Sequence, residues 1–282
     1  MPGLVAQPIL GLLILASAWA ALYTASRLID LERHGVEVHP LYALYRSRRL
    51  NGFIERLAHR APRLWRLLGN MGVVTSPGLA IYISYLLLMN LQRFLYVPEK
   101  ASPVVPIIPG VTVRFQSLPW FLISAGFIIL VHELAHGVQC ILEGIPIRSS
   151  ALVFAIITFG GAVEPDEEAL ERAEGISQMR VYAAGSFANL IIGLTALTLL
   201  ILYAGAMPLP LIYLLHWTYF LSLNIAMVNM LPIRPLDGWR MLKIVADARG
   251  LPIIEKLATG GFILLVALNL SLSLLRFGLI PL

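Results

Sequence analysis

Residues 132–136 form the pattern H-E-x-x-H, which can bind a metal ion and activate a water molecule. On a helix, His132 and His136 share one face, so both imidazoles can bind one Zn²⁺ while Glu133 lies beside them. The metal would lower the pKa of a bound water towards ~7, and the glutamate would take its proton and later donate it to a leaving amine. The pattern therefore predicts hydrolysis of an amide bond, with Glu133 as general base.

The pattern is short and also occurs by chance in helices of soluble proteins. Here it lies inside an apolar stretch, residues 119–142, that is long enough to cross a membrane. A charge at the centre of a span costs about 2.5–3.5 kcal/mol, so such groups are usually paired or functional. A metal site is therefore favoured over a chance match.

A catalytic zinc site needs a third protein ligand and leaves its fourth position to water. Only Glu133 and Asp237, of sixteen acidic residues, are predicted to lie within a span or at its kinked end and away from a helix-flanking surface. Asp237 lies in the sequence NMLPIRPLDG, where two prolines prevent a regular helix and a glycine permits unusual dihedrals. Irregular backbone at membrane depth is tolerated where it lines a cavity. Asp237 is the first candidate, and a solvated aspartate at a helix end is the alternative.

Cys140 and three glutamates compete for the position of third ligand. Cys140 follows His136 by four residues, but ligands spaced i, i+4 and i+8 extend over about 12 Å of helix and cannot all reach one ion at ~2 Å. We interpret Cys140 as a packing residue. Glu164, Glu167 and Glu168 lie in a run of charges that is typical of a solvated surface.

Asn189 ends the sequence AAGSFAN at the start of a later apolar stretch. Small residues allow helices to approach closely, and an asparagine there can hydrogen-bond a substrate amide or a developing oxyanion. Ordinary helix packing, with the asparagine as an interhelical hydrogen-bonding residue, accounts for the same sequence.

The composition places these residues in a membrane. Of 282 residues, 58% are hydrophobic and 13% are charged, and the mean hydropathy of +0.80 exceeds that of ordinary soluble domains. A span needs about 20 mostly apolar residues. Six stretches qualify: 8–28, 73–96, 119–142, 180–204, 211–231 and 255–275. The sequence thus predicts an all-α membrane protein with six transmembrane helices.

These helices are predicted to form a single membrane-embedded domain, 1–282. Helices one and two flank the site over 1–96, helices three to five form the core over 119–238, and helix six covers 255–275. The first stretch is interpreted as a retained helix because no basic region precedes it and its apolar run exceeds that of a signal peptide. One cysteine excludes an internal disulfide framework.

Arginines set the predicted orientation. They are concentrated in the basic segment 33–70, which is cytosolic by the positive-inside rule. Both termini are then outside, and residues 143–179 and 232–254 are inside. The net charge of +5 therefore reflects a multi-pass topology in the cell membrane, and no nucleic-acid partner is expected. At 1.5 Å per residue, His136 and Asn189 both lie about 12–14 Å below the inner surface.

Three connecting segments have recognisable patterns. Segment 33–70 begins with a short alternating, strand-like piece and continues as an arginine-rich interfacial helix. Residues 97–118 form a proline-rich outer loop that ends in Gly110 and a β-like run. Residues 145–164 are rich in β-branched side chains and predict a hairpin near the site.

The motifs together resemble the site-2 protease family of intramembrane zinc metalloproteases. H-E-x-x-H, G-x-x-x-N and N-x-x-P-x-x-P-L-D-G occur in the family's order, and the chain resembles its compact archaeal-type members. The resemblance implies one Zn²⁺ held by His132, His136 and Asp237, with Glu133 as general base and Asn189 as a substrate or oxyanion contact. The partners it implies are a transmembrane protein substrate and the lipid bilayer.

Two positions depart from the family's pattern. Ser186 replaces a common proline, and Trp239 replaces a frequent second glycine after Asp237. Neither change removes a chemical group, so they affect the expected backbone shape. The family's frequent PDZ and CBS modules are not expected here.

The implied mechanism requires a substrate helix that unwinds locally and enters between helices. We expect the hairpin at 145–164 to receive the unwound strand by β-addition, and the first two spans to act as a gate. A metal-ion transporter, a membrane zinc protease with a glutamate as third ligand, and an inactive scaffold are the alternatives.

Overall fold

The computed structural model describes residues 3–29, 36–40, 42–46, 48–108, 111–155 and 158–278. Four sequence predictions therefore lie partly outside the described residues: the basic segment at 33–35, 41 and 47, the outer loop at Pro109 and Gly110, the hairpin segment at 156–157, and both termini. The helices are α1 Gly3–Leu28, α2 Arg48–Arg60, α3 Pro62–Tyr96, α4 Leu118–Leu142, α5 Glu167–Arg172, α6 Gly175–Tyr203, α7 Leu209–Val228, α8 Asp237–Ala248 and α9 Pro252–Phe277. The strands are β1 Val36–Val38, β2 Tyr42–Arg46, β3 Ile147–Ala155 and β4 Thr158–Pro165.

Five helices within the described residues are long and apolar enough to cross a membrane, so a multi-pass membrane protein is confirmed. They are α3, α4 with its preceding turn, α6 with its following turn, α7 and α9. The first predicted span coincides with the helix α1, which is not among these five, so the count of six stays a prediction.

Two boundaries differ from the apolar pattern for physical reasons. Helix α3 begins at Pro62, where the missing N–H is tolerated, and so extends beyond the predicted span of 73–96. Helix α7 ends at Val228 although apolar residues continue to Leu231. Met230 and Leu231 are buried in the following irregular segment. Their hydrophobic side chains therefore pack in the core of that segment and do not indicate a longer helix.

The predicted hairpin is present and belongs to a larger sheet than expected. Strands β3 and β4 pair antiparallel, and β2 and β1 extend the sheet in the order β1-β2-β3-β4. The strand-like start of the basic segment supplies β1 and β2, and α2 follows as the predicted helix. Strand β4 therefore lies at an edge of the sheet formed by the described residues.

Helix α6 lies at the centre of the bundle and contacts α3, α4 and α7. Its first half carries the small residues of the AAGSFAN sequence, and Ala183, Ser186 and Asn189 are completely buried. Helix α2 packs from the side, with Ile54 fully buried against Gly137 of α4. Helix α4, which carries the H-E-x-x-H pattern, is therefore held between α2 and α6.

Candidate active site

The structure brings the three predicted metal ligands together. His132 and His136 project from one face of α4, and their Nε2 atoms lie 3.1 Å apart. Asp237, the first residue of α8, places Oδ2 at 3.7 Å from Nε2 of His132 and 3.5 Å from Nε2 of His136. All three donor atoms lie within 4.8 Å of one another. Residues 101 positions apart in sequence thus form one group that could hold a metal ion.

The spacing of these donors suits a tetrahedral zinc ion. Ligand atoms about 2.0–2.1 Å from a tetrahedral zinc are roughly 3.3 Å from each other, and a catalytic site leaves a fourth position open. The observed separations of 3.1, 3.5 and 3.7 Å are close to that value. Two imidazoles and one carboxylate are also a donor set that zinc accepts. The residues present therefore fit the metal that the sequence predicts.

A backbone contact fixes the tautomer of His136. Its Nδ1 lies 2.6 Å from the carbonyl oxygen of Val181 on α6. A carbonyl can only accept, so Nδ1 carries the proton, and the lone pair of Nε2 faces Asp237 and His132. Ring nitrogens that ligate metals are commonly oriented in this way. The carbonyl of Val181 on α6 thus orients the His136 ring so that Nε2 can bind a metal ion.

Asn189 contacts His132, the other histidine of the group. Its Nδ2 lies 3.0 Å from Nδ1 of His132, and its buried Oδ1 has no hydrogen-bond partner among the described residues. Rotating this amide by 180° would place Oδ1 on the Nδ1–H of His132 and leave the Nε2 lone pair for a metal. Amide orientation is assigned from such networks. The residue is completely buried, and its predicted contact with a substrate stays a prediction.

Gly185 explains why α6 can lie so close to the histidines. A Cβ at this position would come within 2.6 Å of both Cε1 and Nε2 of His132, and closer still to Nε2 of His136. Only a glycine permits that approach. The sequence reasoning that small residues on α6 allow close helix packing is confirmed at this residue.

The segment between α7 and α8 positions Asp237. The N–H of Gly238 donates to the carbonyl of Asn229 at 2.8 Å, and a Cβ at Gly238 would overlap the backbone of Met230. Asn229 also reaches the site directly, because its Nδ2 lies 3.1 Å from Nε2 of His132. The predicted break in the helix before Asp237 is therefore confirmed, and it folds the chain back onto the end of α7.

Glu133 lies between the metal-binding group and the sheet. Its Oε2 accepts a hydrogen bond from the N–H of Val163 at 2.9 Å. Val163 is on the edge strand β4 and pairs in register with Ser150 of β3. The general-base candidate is thus attached to the strand that we expect to receive a substrate.

These groups line one cavity of about 510 Å³. Its walls come from α4, β4, α6 and the start of α8, and both histidines, Glu133 and Asp237 face it. Sequence reasoning missed Tyr182 and Arg240, which also line it. The Nη1 of Arg240 donates to the Tyr182 hydroxyl at 3.2 Å. Arg240 follows Asp237 by one helical turn, and that spacing was the signal that could have indicated it.

The competing ligands are not part of the metal-binding group, although Cys140, Glu164 and Glu167 border the same cavity. Cys140 borders the cavity but is 1% exposed and packs in a core cluster with Leu170, Val181 and Tyr182. Glu164 contacts Ser149. Glu168 forms an exposed ion pair with Arg172. Within the described residues, the group able to hold a metal consists of His132, His136 and Asp237.

Fold and site together define a multi-pass membrane protein with a partly buried group of two histidines and one aspartate, able to hold a metal ion, beside a glutamate. The family model described as peptidase family M50 matches residues 120–208 and 204–272, which cover more than half of the chain. The chain therefore belongs to peptidase family M50, the site-2 protease family of metalloproteases. The resemblance found in the sequence motifs is confirmed.

Several curated proteins are similar to this chain at 28% identity. One is the uncharacterized protein MJ0971 of Methanocaldococcus jannaschii, aligned over 67% of this chain and 50% of that protein. A membrane-bound transcription factor site-2 protease homolog of Arabidopsis thaliana aligns over 46% and 25%, respectively. The putative zinc metalloprotease Rip3 of Mycobacterium tuberculosis aligns over 49% and 35%. The alignments thus span between a quarter and a half of the length of these relatives.

Proposed function

We propose that this chain is an intramembrane zinc metalloendopeptidase that hydrolyses a peptide bond within or near a transmembrane segment of a membrane-protein substrate. The observation that supports this most strongly is the convergence of His132, His136 and Asp237 beside Glu133, on helices long enough to span a membrane. Regulated intramembrane proteolysis is the process in which such a cut would take part.

His132, His136 and Asp237 hold the zinc ion in this proposal. A bound zinc supplies Lewis acidity, which makes a nearby water acidic and polarises a peptide carbonyl. Glu133 takes the proton of the attacking water and gives it to the leaving nitrogen, so the base becomes the acid. Asn189 orients His132 through the contact with its Nδ1. A direct hydrogen bond from Asn189 to the substrate carbonyl is proposed as well.

The substrate is proposed to bind as an extended strand on β4. Main-chain hydrogen bonds to an exposed sheet edge recognise an unwound segment without regard to its side chains. The edge of strand β4 lies beside the cavity. The N–H of Val163 on this strand donates a hydrogen bond to Glu133. A substrate strand that takes this N–H would release Glu133 towards the metal-binding group. The side chains of Tyr182 and Arg240, which line the cavity, would then contact the substrate.

The orientation follows from charge. The arginine-rich segment that contains α2 is proposed to face the cytosol, with the cavity opening on the same side and both termini outside. A single membrane-embedded domain with a gate formed by α1 and α3 completes the proposal. Crosslinking α1 to α9 and finding full cleavage would contradict the gate.

Reconstituted wild type, Glu133→Gln and Asp237→Asn proteins test the function. We expect one zinc per chain and cleavage of a model membrane substrate in the wild type. Glu133→Gln should keep zinc and lose cleavage, because a carboxamide cannot take the proton. Asp237→Asn should lose most of both. Zinc flux into liposomes that survives Glu133→Gln, with no cleavage by the wild type, would instead indicate a transporter.

A further inference from the structure

Glu255, in the first turn of α9, is a buried carboxylate that the proposed reaction does not use. It is 7% exposed. Its Oε1 accepts a hydrogen bond from Nε1 of Trp239 and lies 3.9 Å from Nη2 of Arg234. A carboxylate removed from water is costly unless it is paired and hydrogen-bonded. The hydrogen bond from Trp239 and the charge of Arg234 therefore compensate for the burial of Glu255.

Both partners of Glu255 flank the third metal ligand. Arg234 precedes Asp237 by three residues and Trp239 follows it by two. The guanidinium of Arg234 also lies over the Trp239 ring, 4.3 Å from its centroid, at the distance of a cation–π contact. One side chain from α9 thus contacts the chain on both sides of Asp237.

The α7–α8 segment is also held by its own backbone and by apolar packing, because Leu231, Ile233 and Leu236 belong to a cluster with residues of α3 and α9. The N–H of Gly238 donates to Asn229, and the N–H of Leu236 donates to Ile233 at 2.9 Å. The backbone bonds shape the segment, and the apolar cluster packs it against α9. Yet Oδ2 of Asp237 must stay within 3.5–3.7 Å of two histidine nitrogens on α4. The contacts of Glu255 with Trp239 and Arg234 add polar interactions to this packing, directly beside Asp237.

We propose that Glu255 and Trp239 form a latch that positions Asp237 for metal binding. In this role Glu255 is a positioning residue, and α9 contributes to metal affinity although Glu255 does not contact the metal-binding group. The proposal rests on the proposed function, since it takes zinc as the ion held by Asp237. Partners that orient metal ligands typically change affinity by about 10–100-fold when they are removed.

The test is the zinc dissociation constant, measured by competition with a chromophoric chelator on the full chain in detergent micelles. We expect Glu255→Ala and Trp239→Phe each to weaken zinc binding by about tenfold or more. Because both changes break the same contact, the double variant should bind zinc about as weakly as either single one. Glu255→Gln keeps an oxygen that accepts from Trp239 and should recover much of the affinity.

Two exposed residues provide matched controls. Lys256→Gln changes a charge at the next position of α9, and Glu99→Gln removes a carboxylate from the outer loop. Both should bind zinc within twofold of wild type. Thermal unfolding of the metal-free proteins separates positioning from general stability, because a merely structural Glu255 would lower the unfolding temperature and leave the zinc dissociation constant unchanged.

Unchanged zinc affinity in both Glu255→Ala and Trp239→Phe would overturn the latch. Additive losses in the double variant would overturn it too. A wild-type chain that binds no zinc would defeat the proposed function itself. Tight wild-type binding combined with equally tight binding by the variants would defeat only the latch.

Discussion

Gly185→Ala should weaken zinc binding strongly, although it replaces none of the three proposed metal ligands. The added Cβ would lie 2.6 Å from Nε2 of His132, whereas heavy atoms in contact are about 3.5 Å apart. The histidines or helix α6 must therefore move by at least about 0.9 Å, since the Cβ would lie closer still to Nε2 of His136. Metal–ligand distances in well-formed sites vary by only about 0.2 Å, and loss of the groups that orient metal ligands typically costs about 10–100-fold in metal affinity. We expect zinc affinity to fall by about 100-fold, or about 2.8 kcal/mol.

The assay is zinc affinity by chelator competition, paired with thermal unfolding of the metal-free protein. Gly193→Ala is the matched control on the same helix. Its Cβ would also lie 2.6 Å from a heavy atom, but that atom is Cδ2 of Leu223 on α7. This variant should lose stability through overpacking and keep its zinc affinity. Gly260→Ala, on α9, meets nothing within 4 Å and should be neutral or slightly stabilising, because alanine favours helix.

The reasoning is refuted if Gly185→Ala binds zinc within threefold of wild type. Equal losses of zinc affinity in Gly185→Ala and Gly193→Ala would refute it as well. In that case the loss would report disturbed packing of α6 and not displaced histidines.

Three further predictions concern other described contacts. Asn189→Ala should lower zinc affinity by about 10–100-fold, measured by chelator competition, because His132 loses the partner of its Nδ1. Asn269→Ala should lower the free energy of unfolding by about 1–3 kcal/mol and leave zinc affinity unchanged, because Asn90 and the Leu87 carbonyl each lose a buried hydrogen bond. Arg240→Gln should raise KM for a membrane substrate with zinc content unchanged, which assays of cleavage and metal content would show.

The membrane helices and the metal motif could be predicted from the sequence because both depend on local patterns. Apolar stretches of about 20 residues indicate spans directly, and H-E-x-x-H puts two imidazoles on one helical face. Two prolines and a glycine predict a broken helix around Asp237, and this makes its carboxylate a candidate ligand. Its closeness to the histidines then followed from the depth of each motif in the membrane.

Contacts between distant segments could not be predicted in this way. The pairing of β2 with β3 joins residues about 110 positions apart, and no local pattern specifies that partner. Asn189 was expected to face a substrate, but the structure adds a contact with His132 that depends on how α4 and α6 pack. Trp239 was interpreted as a change in backbone shape, whereas its side chain reaches Glu255 on another helix.

The central claim is that His132, His136 and Asp237 hold one zinc ion beside Glu133. X-ray absorption at the zinc edge, on wild-type and Glu133→Gln proteins, measures the ligand set most directly. We predict two nitrogen and two oxygen neighbours at about 2.0–2.2 Å in both proteins, from the imidazoles, the carboxylate and water. A sulfur neighbour at about 2.3 Å would identify Cys140 as a ligand. That result, or the absence of bound zinc, would contradict the account.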